Sequence, residues 1–320
     1  MDGSFLGVLG VTLPVFLLVG LGIFLRGKAL LGEESERSLL RVVVLVFYPA
    51  LIFEAVAPSE IPLPVSLVTL SVSTGAISIL LGFWVSWVFA PRFGLQEGSG
   101  RRAFSFATGV YNYGYLPIPL VIAFYGASDG TLATLFVFNA GVDLAFWSVG
   151  VLIIQGAFNR GSFKKLINPP LLGLIVGLGF HYSGLYGYLP GFVRVFLGYL
   201  ATIAVPLGII LAGCSIGGLL RKDVFRSGWN VVYGACLVRL FILPILFLLV
   251  AVLLPLPSEL SRVVLIQAAM PAGLFPVIVT AFYGGRKDVA VRVAVSTIVV
   301  SVLTTPLWIS VAKFFYPGIL

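Results

Sequence analysis

The first long apolar run of the chain constrains its fold more than any other feature. Residues 5–25 contain no charged side chain, and about 20 such residues suffice to cross a bilayer as an α-helix. Similar runs recur along all 320 residues, and only 10% of the chain is charged, whereas soluble domains carry about 25%. The sequence therefore predicts an all-α integral membrane protein.

Polar, Gly-containing and Pro-containing stretches divide the apolar sequence into ten predicted membrane spans. Their expected bounds are residues 4–25, 38–56, 63–90, 102–125, 131–155, 170–185, 190–216, 228–254, 261–283 and 290–314. Sixteen of the 20 Lys and Arg residues belong to the connections that follow the odd-numbered spans. Because short cytoplasmic loops retain positive charge, these connections are predicted to face the cytoplasm. Both termini are then expected on the extracytoplasmic side of the cell membrane.

The same count explains the net charge of +8 as a sign of membrane topology, so no nucleic-acid partner is expected. His181 is the only histidine, and Cys214 and Cys236 are the only cysteines. This leaves no set of residues for a metal or cofactor site. The motifs H-E-x-x-H, G-x-S-x-G and the P-loop are also missing. The sequence therefore disfavours a membrane enzyme and an ATP-driven pump.

The two halves of the chain share landmarks in the same order. "AFYGASD" at 123–129 returns as "AFYGGRKD" at 281–288. Pro49 and Pro206 are 157 residues apart, as are Pro119 and Pro276. These offsets predict two repeats of five spans, residues 1–158 and 159–320. Since five is odd, the second repeat enters the membrane from the opposite face, an inverted arrangement common among secondary transporters.

Spans four and nine carry helix-breaking residues near their centres. Span four contains "NYGYLPIP" at 112–119, and span nine contains "MPAGLFP" at 270–276. Proline removes a backbone donor and clashes with the preceding turn, so both segments are predicted to unwind. Irregular backbone at membrane depth is tolerated only beside protein or a water-filled cavity. We therefore expect broken helices four and nine to cross near the bilayer midplane.

The polarity of the broken helices suggests the charge of the ligand. The second halves begin near Pro119 and Pro276, and helix N-termini attract anions. This favours an anionic ligand, in particular a carboxylate. The C-termini of the first halves also converge, so a cation-binding site is an open alternative. The candidate substrate-binding residues are Asn112, Tyr113, Gly114, Pro117, Pro119, Arg239, Gln267, Pro271, Gly273 and Pro276.

Two charged residues fall inside predicted spans, where a charge is costly and usually functional. Arg239 lies in span eight and Asp143 in span five. They either pair with each other, or Arg239 binds the substrate carboxylate while Asp143 exchanges protons. Asn112, Asn139 and Gln267 have amide groups at similar depth, which suits hydrogen bonds to a substrate or between helices.

Four motifs together resemble the auxin efflux carrier family, which includes plant auxin carriers and bacterial permeases for malate or malonate. They are "FYPALIF", "NYGYLPIPL", "AVPLGIILAG" and "AFYGGRKD". The resemblance implies a scaffold domain of spans 1, 2, 6 and 7 and a transport domain of spans 3–5 and 8–10 that moves like an elevator. Arg239 followed by Pro244 is similar to the basic residue and proline of the family. The long cytoplasmic loop of the plant members is absent, so auxin itself is not implied.

The more distant bile acid sodium symporters share the crossed-helix plan and hold sodium with carboxylate and amide groups. Here Asn112 and Gln267 are present, but residues 267–279 contain no acidic side chain, which favours a proton over sodium as the coupling ion. The expected function is a secondary carrier of small organic anions, with the bilayer and the anion as partners. A homodimer, a ligand-binding sensor and a channel are left open.

Overall fold

The computed structural model describes residues 5–58, 63–127, 129–156, 167–220 and 227–315, and within these ranges the chain forms helices and no strands. The all-α prediction is confirmed. Seven helices are long and apolar enough to cross a membrane. They are α1 (Phe5–Gly27), α2 (Glu33–Val56), α3 (Val65–Phe93), α6 (Gly130–Gln155), α8 (Gly191–Leu219), α9 (Trp229–Leu253) and α12 (Lys287–Phe315).

The remaining helices are shorter and coincide with predicted spans four, six and nine. They are α4 (Arg101–Gly109), α5 (Pro117–Tyr125), α7 (Pro169–Ser183), α10 (Ser258–Ala268) and α11 (Phe275–Phe282). That these segments complete ten membrane spans remains a prediction. Six of the basic residues counted for topology lie outside the described residues: Arg160, Lys164, Lys165, Arg221, Lys222 and Arg226.

The helix interruptions in spans four and nine are confirmed, but they begin earlier than predicted. The non-helical segments are 110–116 and 269–274. Pro117 and Pro119 lie in the first turn of α5, and Pro276 lies in the first turn of α11. An N–H group in the first turn has no intrahelical acceptor, so proline fits there without losing a hydrogen bond. These prolines begin the second helices and are not themselves unwound.

The helices pack as two sets. In one set α1 packs on α8, and α2 packs on both α7 and α8. In the other, α3 packs on α4 and α6, while α12 packs on α4 and α9, and α10 packs on α6 and α9. Contacts of α1 with α12 and of α2 with α6 join the two sets. We call them the α1–α2–α7–α8 set and the α3–α6/α9–α12 set.

Glycines permit the closest helix contacts within each set. A Cβ atom at Gly22 of α1 would lie 2.0 Å from the carbonyl oxygen of Ile210 in α8. At Gly213, Gly75 and Gly141, a Cβ atom would likewise lie within 2.2 Å of a carbonyl oxygen on the partner helix. Small residues at such positions let membrane helices gain van der Waals contact without a hydrophobic driving force. The close packing of α1 on α8 and of α3 on α6 therefore requires glycine at these positions.

Proline inside α9 leaves one carbonyl group that another helix satisfies. Pro244 has no N–H to donate to the carbonyl oxygen of Leu240, four residues earlier. The indole Nε1–H of Trp308, on α12, donates to that oxygen at 2.6 Å. The preceding residues Val238–Ile242 form a wide π-helical turn, the kind of local irregularity that marks functional helices. Trp308 thus fixes α12 against the irregular part of α9.

We expect Trp308→Phe to destabilise the protein by about 1–3 kcal/mol, because the buried carbonyl of Leu240 loses its donor. The measurement is the apparent melting temperature of the detergent-purified protein. In a Pro244→Ala background the new N–H can serve the same carbonyl, so Trp308→Phe should then cost measurably less. An equal loss in both backgrounds would contradict this hydrogen bond as the source of the effect.

Candidate functional site

The two interrupted segments meet through their backbones. The N–H of Asn112 donates to the carbonyl oxygen of Pro271 at 2.8 Å, and the N–H of Gly273 donates to that of Val110 at 2.9 Å. The pair forms an isolated antiparallel bridge between Tyr111 and Ala272. Backbone groups freed by an interruption need partners when they are buried, and here each segment supplies partners for the other.

Side chains of α12 hold the second interruption in place. The hydroxyl oxygen of Thr297 accepts from the N–H of Ala272 at 3.2 Å. The hydroxyl of Thr305 donates to the carbonyl oxygen of Ala269 at 3.0 Å. In the first interruption, the Asn112 side-chain oxygen accepts from the N–H of Tyr115 at 3.1 Å. Asn112 therefore shapes the loop that follows it as well as pairing with the opposite segment.

Two amide side chains connect the first interruption to neighbouring helices. Asn139 Nδ2 donates to the carbonyl oxygen of Tyr113 at 2.9 Å. Gln267 Nε2 donates to Asn139 Oδ1 at 3.1 Å and to the same Tyr113 oxygen at 3.4 Å. Gln267 is fully buried. These bonds tie α6 and the end of α10 to the first interruption, so Gln267 acts here as a helix-to-helix link.

Arg239 is fully buried and lies at the carbonyl end of α10. Its Nε donates to the carbonyl oxygen of Met270 at 3.0 Å, and Nη2 lies 3.4 Å and 3.5 Å from those of Gln267 and Ala268. Its guanidinium carbon is 4.9 Å from the centre of the Tyr111 ring. A cation at this position compensates the negative end of the helix dipole.

A cavity of about 340 Å³ lies between the two helix sets, beside the paired interruptions. Helices α2 and α7 form one wall, and α6, the start of α11 and both interruptions form the other. Its aromatic lining consists of Tyr48, Tyr111, Tyr113, Tyr115, Phe136, Trp147 and Phe275. Polar groups come from Asn112, Asn139, Asp143 and Asn168. This mixture of apolar walls and a few polar groups is typical of small-molecule sites.

Asp143 is the acidic residue of the cavity lining. Its Oδ1 accepts from the hydroxyl of Tyr113 at 2.7 Å, and its carboxylate also hydrogen bonds with the side chain of Asn168. Asn168 caps the N-terminus of α7, where its Oδ1 accepts from the N–H of Leu171 at 2.9 Å. Asp143 thus contacts both helix sets. No Lys or Arg belongs to the described lining of this cavity.

Comparisons with known proteins identify the chain's family. The sequence profile of the membrane transport protein family matches residues 8–162 and 160–309, which is nearly the whole chain. The chain belongs to this family, that of the auxin efflux carriers. An uncharacterized transporter of Methanothermobacter thermautotrophicus is 28% identical over 308 residues, 95% of this chain and 98% of its own.

Two further relatives of the membrane transport family are also described as uncharacterized transporters. One from Methanocaldococcus jannaschii is 24% identical and covers 93% of this chain and 96% of its own. The other, YfdV of Escherichia coli, is 22% identical and covers 95% of this chain and 98% of its own. The resemblance inferred from the four motifs is therefore confirmed. Family and relatives are named as transporters and not as enzymes.

Within this membrane transport protein, the structure brings about half of the predicted site residues to the cavity. Asn112, Tyr113, Gly114, Asp143, Gly273 and Pro276 line it. Pro117, Pro119, Arg239, Gln267 and Pro271 lie outside the lining. The described residues contain no ion pair between Arg239 and Asp143. Arg239 Nε and Nη2 donate to backbone carbonyls, whereas Nη1 is buried without a hydrogen-bond partner. Substrate binding by Arg239 stays a prediction.

The wall formed by α2 and α7 was not predictable from the motifs. Tyr48 and Asn168 line the cavity from these helices, and neither was a candidate. Tyr48 lies within the motif "FYPALIF", which was noted only for its family resemblance. Asn168 precedes Pro169 and Pro170, so its position as a helix cap was readable, but its proximity to Asp143 was not. Among the described residues no group of three metal-ligating side chains occurs.

Proposed function

We propose that this membrane transport protein is a secondary carrier of small organic anions, chiefly carboxylates, that works by elevator-type alternating access. The observation that carries the proposal is the cavity between two helix sets, bordered by two interruptions that are hydrogen bonded to each other. Irregular backbone inside a membrane protein is tolerated where it lines a cavity. In secondary transporters, broken helices of this kind form the substrate site.

The spacing of the helices supports two inverted repeats, residues 1–158 and 159–320. Helices α4 and α10 begin 157 residues apart, and α5 and α11 begin 158 residues apart. In this proposal the ten spans lie in the cell membrane with both termini outside. The α1–α2–α7–α8 set is the scaffold, and the α3–α6/α9–α12 set is the transport domain. The cavity lies at their boundary, where a moving domain would carry its ligand.

The chemistry of the cavity favours a compact anion with an apolar body. Its lining offers the amides of Asn112 and Asn139 and several tyrosine hydroxyls, but no described basic side chain. The N-termini of α5 and α11 add partial positive charge. Pro117 and Pro119 remove two N–H groups from the first three residues of α5. Fewer backbone donors are then available for the anion, so side-chain donors must contribute more of its hydrogen bonds.

Asp143 gives the site a means of coupling to protons. An ionised carboxylate in the cavity repels an anionic substrate, whereas a protonated one does not and can donate a hydrogen bond. A monocarboxylate and one proton then cross together without net charge, and a dicarboxylate dianion crosses with one net negative charge instead of two. This matters because moving one elementary charge against the membrane potential costs about 2.3 kcal/mol per 100 mV. Proton coupling would therefore permit uptake of an anion into a cell with a negative interior.

In this mechanism Arg239 positions the site and does not bind the substrate. Its guanidinium holds the carbonyl end of α10 at the point where the second interruption begins. Gln267 extends from the same helix end to Asn139, which lines the cavity. A displacement of Arg239 would therefore alter the cavity through one intermediate residue.

Uptake of labelled malate, malonate and indole-3-acetate into proteoliposomes tests the proposal. We expect saturable flux of at least one acid that an inward proton gradient accelerates. Asp143→Asn should remove the dependence on the gradient and reduce uptake at least tenfold, because the group that accepts the proton is gone. Glu54→Gln, which alters a carboxylate outside the cavity, should behave like the wild type.

Four outcomes would contradict parts of this mechanism. Flux driven by a sodium gradient alone would replace the proton as the coupling ion. Unchanged gradient dependence in Asp143→Asn would remove that residue from the coupling step. Thermal stabilisation by one of the acids without any flux would favour a ligand-binding sensor, while ion conductance far above carrier turnover would favour a channel.

A further inference from the structure

A second cavity lies on the outer side of the α3–α6/α9–α12 set, remote from the substrate site. It is a groove of about 380 Å³ between α3 and α6 that ends at α4. Its lining consists of Leu80, Phe83, Trp84, Trp87, Arg102, Val149, Leu152, Ile153 and Gly156. Apart from one arginine the lining is apolar or aromatic, so the groove suits a hydrocarbon chain along most of its length.

Arg102 lies at the polar end of this groove. It is exposed, and within the described part of the chain it makes no hydrogen bond and no ion pair. Gly156, which ends α6 with a φ of 74°, leaves room for it, since a Cβ atom there would lie 2.1 Å from Arg102 Nη1. The guanidinium therefore lies at the mouth of the groove, and its donors have no partner within the described part of the chain.

Neighbouring arginines differ from Arg102 in this respect. Arg101 stacks on the Trp87 ring at 4.3 Å and donates from Nε to the Trp87 carbonyl oxygen at 3.2 Å. Arg92 donates to the carbonyl oxygen of Val88 at 3.1 Å. These two add positive charge around the groove but use part of their hydrogen-bonding capacity within the protein. Arg102 alone of the three makes no hydrogen bond within the described part of the chain, so all of its donors are available for an outside ligand.

The position of the groove indicates where its occupant comes from. Trp84 is 64% exposed, and Leu80, Val149 and Leu152 are each more than a third exposed, so the groove opens on the surface that would face lipid. Tryptophan side chains are enriched at the level of the lipid headgroups. The loops at this end belong to the side that the basic-residue count assigns to the cytoplasm, where anionic lipids concentrate.

We propose that this groove binds an anionic phospholipid, with an acyl chain between α3 and α6 and the phosphate on Arg102. The span from Val149 to Gly156 is about 10 Å of helix, at 1.5 Å per residue, which is enough for part of one chain. A zwitterionic lipid brings its own cation next to three arginines, whereas an anionic lipid does not. Arg102 supplies the charge selectivity, and the two tryptophans border the headgroup.

Quenching of tryptophan fluorescence by brominated lipids measures this site in the intact protein. The protein is reconstituted in vesicles of phosphatidylcholine with brominated phosphatidylglycerol, or with brominated phosphatidylcholine, at equal mole fractions. We expect about fivefold preference for the anionic lipid, the effect of one basic residue near a membrane surface. Trp84→Phe combined with Trp87→Phe should remove the preferential signal, because these rings border the groove.

Variants of the arginines decide whether the groove or the general surface charge is responsible. Arg102→Gln should lower the preference to near one, and Arg102→Lys, which keeps the charge, should retain most of it. Arg92→Gln is the matched control, since it removes the same charge outside the groove, and it should retain the preference. Equal quenching by both lipids in the wild type, or equal losses in Arg102→Gln and Arg92→Gln, would overturn the proposal.

Discussion

Arg239→Ala should destabilise the protein by about 3–5 kcal/mol, and this is the largest effect we expect from removing a single side chain. The change leaves the carbonyl oxygen of Met270 without its donor, and a buried unpaired group costs about 1–3 kcal/mol. The carbonyl oxygen of Gln267 keeps the N–H of Met270, at 3.2 Å. The substitution also opens a cavity between Tyr111 and Phe247, the two rings next to the guanidinium. Cavities of side-chain size add further loss.

The apparent melting temperature in detergent measures the effect of Arg239→Ala. Arg92→Ala, which removes an exposed arginine, is the control and should change the melting temperature little. Arg239→Lys keeps the charge but lacks the planar fork of donors, so its stability should be intermediate. A wild-type melting temperature in Arg239→Ala, together with complete loss of substrate binding, would support the direct ligand contact that the sequence suggested.

Gly22→Ala should separate α1 from α8 and destabilise the protein by about 2–3 kcal/mol. The added methyl group would lie 2.0 Å from a backbone oxygen and 2.8 Å from the backbone nitrogen of Cys214. Backbone atoms cannot relieve the clash by a rotamer change as a side chain can, so one helix must move. Overpacking of this kind costs about 1–3 kcal/mol and occasionally more.

Gly20, two residues earlier on the same helix, provides a matched control. A Cβ atom at Gly20 would have no neighbour within 4 Å. Gly20→Ala should therefore be neutral or stabilise α1 by up to about 1 kcal/mol, since alanine favours helix over glycine. Melting temperature and the yield of monodisperse protein report both changes. Equal behaviour of the two variants would mean that the close α1–α8 contact is not important for stability.

The sequence was informative about the helices because their signals are local. Apolar runs placed seven membrane-length helices within five residues of their observed bounds. The interruptions were also predictable, since Pro and Gly clusters are local as well. Their exact limits were not, because proline is unfavourable inside a helix but favourable in its first turn. Pro117 was expected in the unwound segment and the second helix near Pro119, whereas both prolines lie in the first turn of α5.

The candidate site was only half predictable because one of its walls depends on tertiary packing. The residues of the interruptions were recognised, since free backbone groups at membrane depth identify a functional segment. Tyr48 and Asn168 reach the cavity only because α2 and α7 pack against the other helix set. The partners of Arg239 were hidden for another reason. From the amino-acid sequence, the expected partner of a buried arginine is a carboxylate side chain. The observed acceptors are backbone carbonyl oxygens, which the sequence does not reveal.

The distribution of close glycine contacts has a consequence for the energy of transport. Among the described residues, every site where a glycine Cβ would come within 3.0 Å of another helix's backbone joins two helices of the same set. Across the boundary, Gly208 of α8 meets only the ring of Tyr115 at that range. In the proposed movement each helix set, with its closely packed backbones, moves as a rigid body. At the glycine contacts, sliding of one set past the other then requires only side-chain rotation. This lowers the energy barrier to the movement while the packing within each set is kept.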